Sequence, residues 1–309
     1  MLFIIIFLFL VFLISSLFII GYNTYASAVK KDNKSSKKSF EKSGLSGESR
    51  LVQVNIDWFK EQDIKDLTIQ SSDGLKLHGV YLAAKNPYRT VICVHGYRSD
   101  AMTDFSSMIK YFNLNHSNIL LIDQRCHGES EGDYITFGAK ESDDLKLWIN
   151  TVISRIDDKL PIYLYGISMG STTSLLTLKN KLPFQVKGVI ADCGYSSMKD
   201  ELSYLLSRYM HIPAFSIMGI INMFCTMSAH FSMSDTEVKE ALKDNHIPIL
   251  YIHGEDDKFV LPENTRQNYA NTNSNKDILW VKGATHGDSC IKDPTLYRAR
   301  LEHFFNTYK

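Results

Sequence analysis

A serine set between two glycines, Gly166-Ile167-Ser168-Met169-Gly170, closes an apolar run that begins at Ile162. An apolar, β-prone segment, a Gly-x-Ser-x-Gly turn and a helix-like stretch from Ser171 to Leu178 read as strand, sharp turn and helix. The serine then occupies the apex of the turn. Side chains two positions to either side would collide there, which accounts for glycine at Gly166 and Gly170. The chemistry on offer is nucleophilic. A serine hydroxyl attacks a carbonyl only when a neighbouring base takes its proton and a third group orients that base. Alone, the motif is a weak signal and reads more readily as an ordinary glycine-rich turn, so its weight depends on whether the partners follow.

They do, in the order Ser, Asp, His. Ile247 to Gly254 reads as a buried strand that runs into Glu255-Asp256-Asp257, and Ile278 to Val281 as a further strand that leads to Gly283-Ala284-Thr285-His286-Gly287. Groups at the carboxyl ends of neighbouring parallel strands lie along the edge where open α/β sheets bind ligands. Taken singly, His286 is a loop histidine among ten and Asp257 a charge ahead of the helix that starts at Pro262. Taken together, each falls in the loop its role requires. A fourth segment agrees with them. Thr90 to Val94 reads as a strand ending in His95-Gly96-Tyr97-Arg98-Ser99, a loop able to supply one of the two backbone N–H groups that acyl transfer needs for its oxyanion. The candidates are the N–H groups of Tyr97 and Met169.

These segments, with Asp123-Gln124-Arg125-Cys126-His127-Gly128-Glu129-Ser130 and His253-Gly254-Glu255-Asp256-Asp257-Lys258-Phe259-Val260, resemble the α/β-hydrolase fold superfamily. More narrowly, they resemble bacterial hydrolases with a membrane-proximal N-terminus that are related to serine aminopeptidases and acyl esterases. The resemblance runs from about Leu51 to Lys309. It implies Ser168 as nucleophile, His286 as base and Asp257, ahead of Asp256, as the acid. Some relatives take the acid from the strand before the lid, where Asp192 stands. Cys126 occupies a position at which the superfamily usually carries glycine, so a departure in that loop's conformation is expected.

The elements that must position these groups are legible too. Leu67–Gln70 and Leu75–Ala84 form an expected hairpin around Ser72-Asp73-Gly74, and four strand-then-helix units start at Val91, Ile119, Ile162 and Val189. Alternation of this kind predicts a mostly parallel central sheet flanked by helices, with the hairpin at its edge. The interval 196–245 breaks the alternation and is too long for a plain loop. Tyr195 to Asn245 holds six of the ten methionines: Met198, Met210, Met218, Met223, Met227 and Met233. It reads as a helical lid over Ser168, its methionines either lining an acyl-binding cleft or packing the lid onto the core.

Residues 1–22 are apolar and free of charge, long enough to span a bilayer, which takes about 20 residues. The expectation is a single membrane anchor, although Ala26-Ser27-Ala28 has the small-residue form of a cleavage site. Residues 23–50 read as a flexible basic linker, because the stretch after Val29 is rich in Lys, Ser and Gly and poor in apolar side chains. Lys30, Lys31, Lys34, Lys37 and Lys38 follow the span and favour a catalytic domain on the cytoplasmic side. Five cysteines without disulfide spacing favour the same side, while the likeness to exported relatives points to the other. Lys+Arg and Asp+Glu are 34 each, which gives no footprint for nucleic-acid binding. The sequence carries no metal-ligand cluster or phosphate-binding glycine loop, so neither cofactor nor metal is expected.

The function expected is hydrolysis of a small acyl ester or thioester through an acyl-enzyme. The alternatives are a peptidase acting on short peptides and a catalytically silent binding protein on the same scaffold.

Overall fold

The computed structural model describes residues 1–31 and 49–309. Its eight strands are β1 (Ile64–Gln70), β2 (Lys76–Leu82), β3 (Arg89–Val94), β4 (Ser117–Ile122), β5 (Ile162–Ile167), β6 (Val186–Asp192), β7 (Ile249–Gly254) and β8 (Lys276–Val281). They form one sheet in the order β1-β2-β4-β3-β5-β6-β7-β8. β1 and β2 pair antiparallel at the edge, β2 meets β4 antiparallel, and every later pairing is parallel. The mostly parallel sheet and its edge hairpin are those the sequence predicts.

Helices cover both faces: α2 (Ser49–Lys60), α3 (Ala101–Leu114), α4 (Glu141–Arg155), α5 (Met169–Leu176), α8 (Val238–Leu242), α9 (Pro262–Asn271), α10 (Ser289–Lys292) and α11 (Pro294–Thr307). β3 is buried along its whole length, and its period-two geometry divides it between the two layers. Val91 and Cys93 pack with Phe105, Phe112, Tyr297 and Phe305 on one face, while Ile92 and Val94 pack with Leu145, Trp148, Leu175 and Leu242 on the other. Each such side chain contributes about 1.5–3 kcal/mol on burial, so the sheet that carries the site is a stiff platform. α2, which the sequence reading did not anticipate, buries Ile56 and Phe59 and reaches α3 through Asn55 Nδ2, which donates to Ser106 O at 2.9 Å.

The lid lies between β6 and β7. It comprises α6 (Met198–Leu205), a π-helical turn over Leu206–Met210, a short 3-10 turn, α7 (Met218–Phe224), a second π-helical turn over Cys225–Ala229 and a 3-10 turn before α8. Its methionines divide by position. Met198, Met218 and Met233 are buried in a third apolar cluster, Met210 lines the cleft described below, and Met223 and Met227 are exposed. Packing is therefore the main work of the buried ones, and a single methionine reaches the cleft.

α1 (Leu2–Val29) is a single helix, long and apolar enough to cross a membrane. It runs on past residue 22, where the linker was expected to begin. The reason is a second stripe of apolar side chains in its last turns: Tyr25 and Val29 are fully buried against the lid, and Gly21 sits so close to α7 that a Cβ there would lie 2.7 Å from Ile220 Cγ2. The chain then adds a β-bridge, with Ile135 N donating to Val29 O at 2.7 Å and Lys31 N to Asp133 O at 2.8 Å. The remainder of the expected linker, residues 32–48, lies outside the described residues.

Candidate active site

Parallel register brings the loop ends together. Val94 pairs with Gly166 and Gly254 with Val281, so the turns after β3, β5, β7 and β8 open on the same edge of the sheet. Ser168 stands between β5 and α5 with φ +56° and ψ −120°, a conformation L-residues adopt only under strain. The two glycines allow it. A Cβ on Gly166 would fall 2.1 Å from Gly170 O, and one on Gly170 would fall 1.8 Å from Val94 O. Gly170→Ala is accordingly expected to cost more than about 4 kcal/mol; circular dichroism melting of the purified variant checks this, and a wild-type melting curve would refute it.

His286 lies between the other two candidates. Its Nε2 is 2.9 Å from Ser168 Oγ and its Nδ1 is 2.7 Å from Asp257 Oδ2. The fully buried Asp257 side chain uses its second oxygen to accept the backbone N–H groups of Phe259 and Val260 at 2.8 and 3.0 Å. Burial works against its charge, yet hydrogen bonds from His253 and His286 prevail and hold its pKa down at about 2. The Nδ1 contact fixes the imidazole with Nδ1–H toward the carboxylate and the Nε2 lone pair toward the serine. That arrangement can take a proton from Ser168.

Asp192, the acid that some relatives use, borders the serine turn, its backbone O accepting Ser168 N at 2.9 Å, but its carboxylate is turned to Tyr297 rather than to His286. It is buried at the end of β6 and accepts Tyr297 Oη at 2.7 Å, and Tyr297 in turn meets Tyr165 Oη at 2.5 Å. Burial, opposed by the Tyr297 hydrogen bond, raises its pKa to about 7.

The loop after β3 runs against the serine: a Cβ on Gly96 would stand 3.3 Å from Ser168 Cβ. Two histidines tie this loop to the one after β4. His95 Nε2 accepts Gln124 N at 3.1 Å while its Nδ1–H donates to Gly96 O, and His127 Nε2 accepts Arg98 N at 3.0 Å while its Nδ1–H donates to Arg125 O. Both must be neutral in this role, and burial depresses both, His95 to about 3. Asp104 completes the brace by accepting Gly96 N and Ser99 Oγ, each at 2.6 Å. Tyr97 is thereby set beside the serine, its ring stacked on Phe137, and Met169 begins α5 immediately after it. Cys126 meets the glycine-like demand of its position by adopting φ +69°.

A cavity of about 710 Å³ opens from Ser168. The lid supplies Leu202, Leu205, Leu206 and Tyr209, and the loops supply Tyr97, Phe137 and Val260, so its walls are largely apolar. Glu201, 5 % exposed, lines the same cavity with neither carboxyl oxygen hydrogen-bonded. Burial, and to a lesser degree the nearby Asp257 charge, push its pKa up to about 8. The folded state thus binds this proton more tightly than the unfolded chain, and the stability it gives below the ordinary carboxylate range is lost as pH rises toward about 8. Glu201→Gln is expected to melt progressively higher than the parent between pH 5 and pH 9, a gain on the order of a few kcal/mol at the alkaline end. A gain independent of pH would contradict this.

His253, Asp104 and Glu201 went unrecognised in the sequence. His253 offered a signal, since it stands one residue before the end of β7 and four before Asp257. Among the described residues, one group could hold a metal ion: Cys193, Asp257 and His286, whose ligand atoms lie within 4.8 Å of one another. Burial drives the Cys193 thiol far above its usual range, and the other two are bonded to each other, so the set is better suited to relaying a proton than to gripping a cation.

The fold is that of the α/β-hydrolases. A family model described as serine aminopeptidase, S33, matches residues 85–221. Among solved structures, the chain is similar to the Pyrococcus furiosus esterase Pf2001, with a TM-score of 0.66, 22% identity and coverage of 80% of this chain and 92% of that one. It is also similar to acetyl xylan esterase 1 from Thermoanaerobacterium sp. JW/SL YS485, with a TM-score of 0.56, 17% identity and coverage of 84% and 93%. An uncharacterized protein of Bacillus subtilis (strain 168), YqkD, is 23% identical over 248 residues, 80% of this chain and 81% of the relative.

Proposed function

We propose that the protein is a serine hydrolase that cleaves carboxylic esters or thioesters through an acyl-enzyme. The observation that carries this reading is the placement of His286 within hydrogen-bond reach of both Ser168 Oγ and Asp257. Ser168 attacks the acyl carbonyl as His286 Nε2 takes its proton, and Asp257 stabilises the imidazolium. The oxyanion is held by the backbone N–H groups of Met169 and Tyr97. Collapse breaks the bond to the leaving group, which departs with the proton from His286. Water then attacks the acyl-enzyme, its proton passing to His286, and Ser168 is released with the acid product.

Preference for an acyl group is supported by the apolar cleft at Ser168. Amide hydrolysis next to a free amino terminus is the second reading, favoured by the unpaired Glu201 carboxyl in that cleft and by the aminopeptidase description of the matching family. A panel of aryl esters of increasing chain length, run beside aminoacyl anilides, separates them. Ester turnover with inert anilides is expected, and the reverse would transfer the assignment to a peptidase.

The helix α1 is proposed to anchor the enzyme, with the catalytic domain on the cytoplasmic side as its following lysines indicate. All five cysteines are unpaired and buried, in keeping with a reducing compartment. Protease added to intact cells should leave the domain uncut; cleavage there would reverse the orientation.

A further inference from the structure

We infer that the last turns of α1 form a wall of the substrate site, so that the helix entering the membrane also guides a bilayer-resident acyl ester to Ser168. This rests on the serine-hydrolase and anchor readings above. Ile20, Asn23, Thr24, Ser27 and Ala28 all line the cavity that reaches the serine. Their spacing, three and four residues apart, is one face of a helix. The wall is fixed in place. Tyr97 Oη donates to Ala28 O at 2.9 Å, Arg98 donates to Ser27 O at 2.7 Å, and Phe224 of the lid packs against Phe18, Tyr22 and Tyr25. Through Tyr97, the helix is bonded to the residue proposed to hold the oxyanion.

Two further features point to a ligand and to where it comes from. Thr24 Oγ1 is buried without a hydrogen-bond partner, as are both Glu201 oxygens, and the two residues line the same cavity. A substrate polar group placed between helix and lid would supply the missing partner. Residues 2–20 extend about 28 Å at 1.5 Å per residue, close to the ~30 Å hydrocarbon core of a bilayer, and Leu2 to Ile14 are exposed throughout. The cavity lining therefore begins, at Ile20, directly after the exposed apolar stretch of α1. Exposed Tyr209, Met210 and Phe215 continue the apolar surface from the cleft along the lid. An acyl chain leaving the bilayer along α1 stays in contact with apolar surface until its carbonyl reaches the serine.

The test uses the full chain in phosphatidylcholine–phosphatidylglycerol nanodiscs, with methylumbelliferyl oleate in the bilayer and methylumbelliferyl acetate in solution. Thr24→Phe narrows the wall, and Ile19→Phe adds the same bulk on the exposed side. Thr24→Phe should lower oleate turnover at least about tenfold. Acetate turnover should fall by a smaller factor, so that the oleate-to-acetate ratio drops at least about fivefold, and fluorophosphonate labelling should persist. Ile19→Phe should change neither. Should Thr24→Phe fold poorly, Ser27→Cys decides in protein already folded, where a bulky maleimide should block oleate turnover and a methylthio group should spare it. Oleate turnover should also follow the ester's mole fraction in the bilayer at fixed bulk concentration. Unchanged oleate turnover in both wall variants, an equal loss in Ile19→Phe, or dependence on bulk concentration alone would overturn the inference. A parent that neither labels nor turns over acetate refutes the serine-hydrolase reading instead, and this proposal falls with it.

Discussion

Ser168→Ala should lose roughly four to six orders of magnitude in kcat on a short-chain aryl ester while its melting temperature stays close to that of the parent. The size of the loss follows from covalent catalysis: without the hydroxyl no acyl-enzyme forms, and His286 has nothing to deprotonate. The small structural effect follows from the site, because Ser168 Oγ has His286 as its hydrogen-bonding partner, at the rim of the cavity. Alanine also keeps the strained backbone at φ +56° without adding bulk. Burst kinetics and melting curves on the same preparation check both halves. Retained turnover would remove Ser168 from the mechanism.

Asp257→Asn should lower kcat by roughly 10⁴-fold. The asparagine amide would favour the wrong imidazole tautomer and could not stabilise the imidazolium. This carboxylate also receives His253, at 3.2 Å, and two backbone N–H groups, so the variant should melt lower as well. The sign with pH is set by its depressed pKa. The stability it contributes is present above the unfolded-state carboxylate range and lost as pH falls toward about 2, so the difference between parent and variant should shrink in acid. Asp192→Asn is the informative comparison. It leaves the His286 contact untouched and should keep kcat within about tenfold. If Asp192→Asn were the more damaging of the two, the acid would have to be reassigned.

What the sequence made legible was governed by local rules. The strand runs into Gly166 and Gly254 are apolar, and the glycines around Ser168 are demanded by backbone contacts only ångströms away, so the loops after β5, β7 and β8 could be placed without a structure. The docking of α1 could not. A helix with nearly every side chain apolar carries no amphipathic signature, so the stripe of Gly21, Tyr25 and Val29 that meets the lid is invisible against its background. Glu201 hid for the opposite reason. It sits between Asp200 and Leu202 at the start of an amphipathic helix, where an acidic residue reads as an ordinary first-turn charge. The lid methionines could not be apportioned between cleft and core, because composition says nothing about which way a side chain points. His253 was passed over because a strand-end histidine does not announce that its partner is the same carboxylate His286 uses.

Activation of the Ser168 hydroxyl by His286 is the step on which the proposed mechanism turns. The most direct measurement is fluorophosphonate labelling of the full chain at neutral pH, with the adduct located by mass spectrometry in the parent and in His286→Ala. A single adduct on Ser168, formed rapidly in the parent and at least about 10³-fold more slowly in the variant, is the predicted result. An adduct elsewhere, or equal labelling of Ser168 without the imidazole, would rule out activation of this serine by His286.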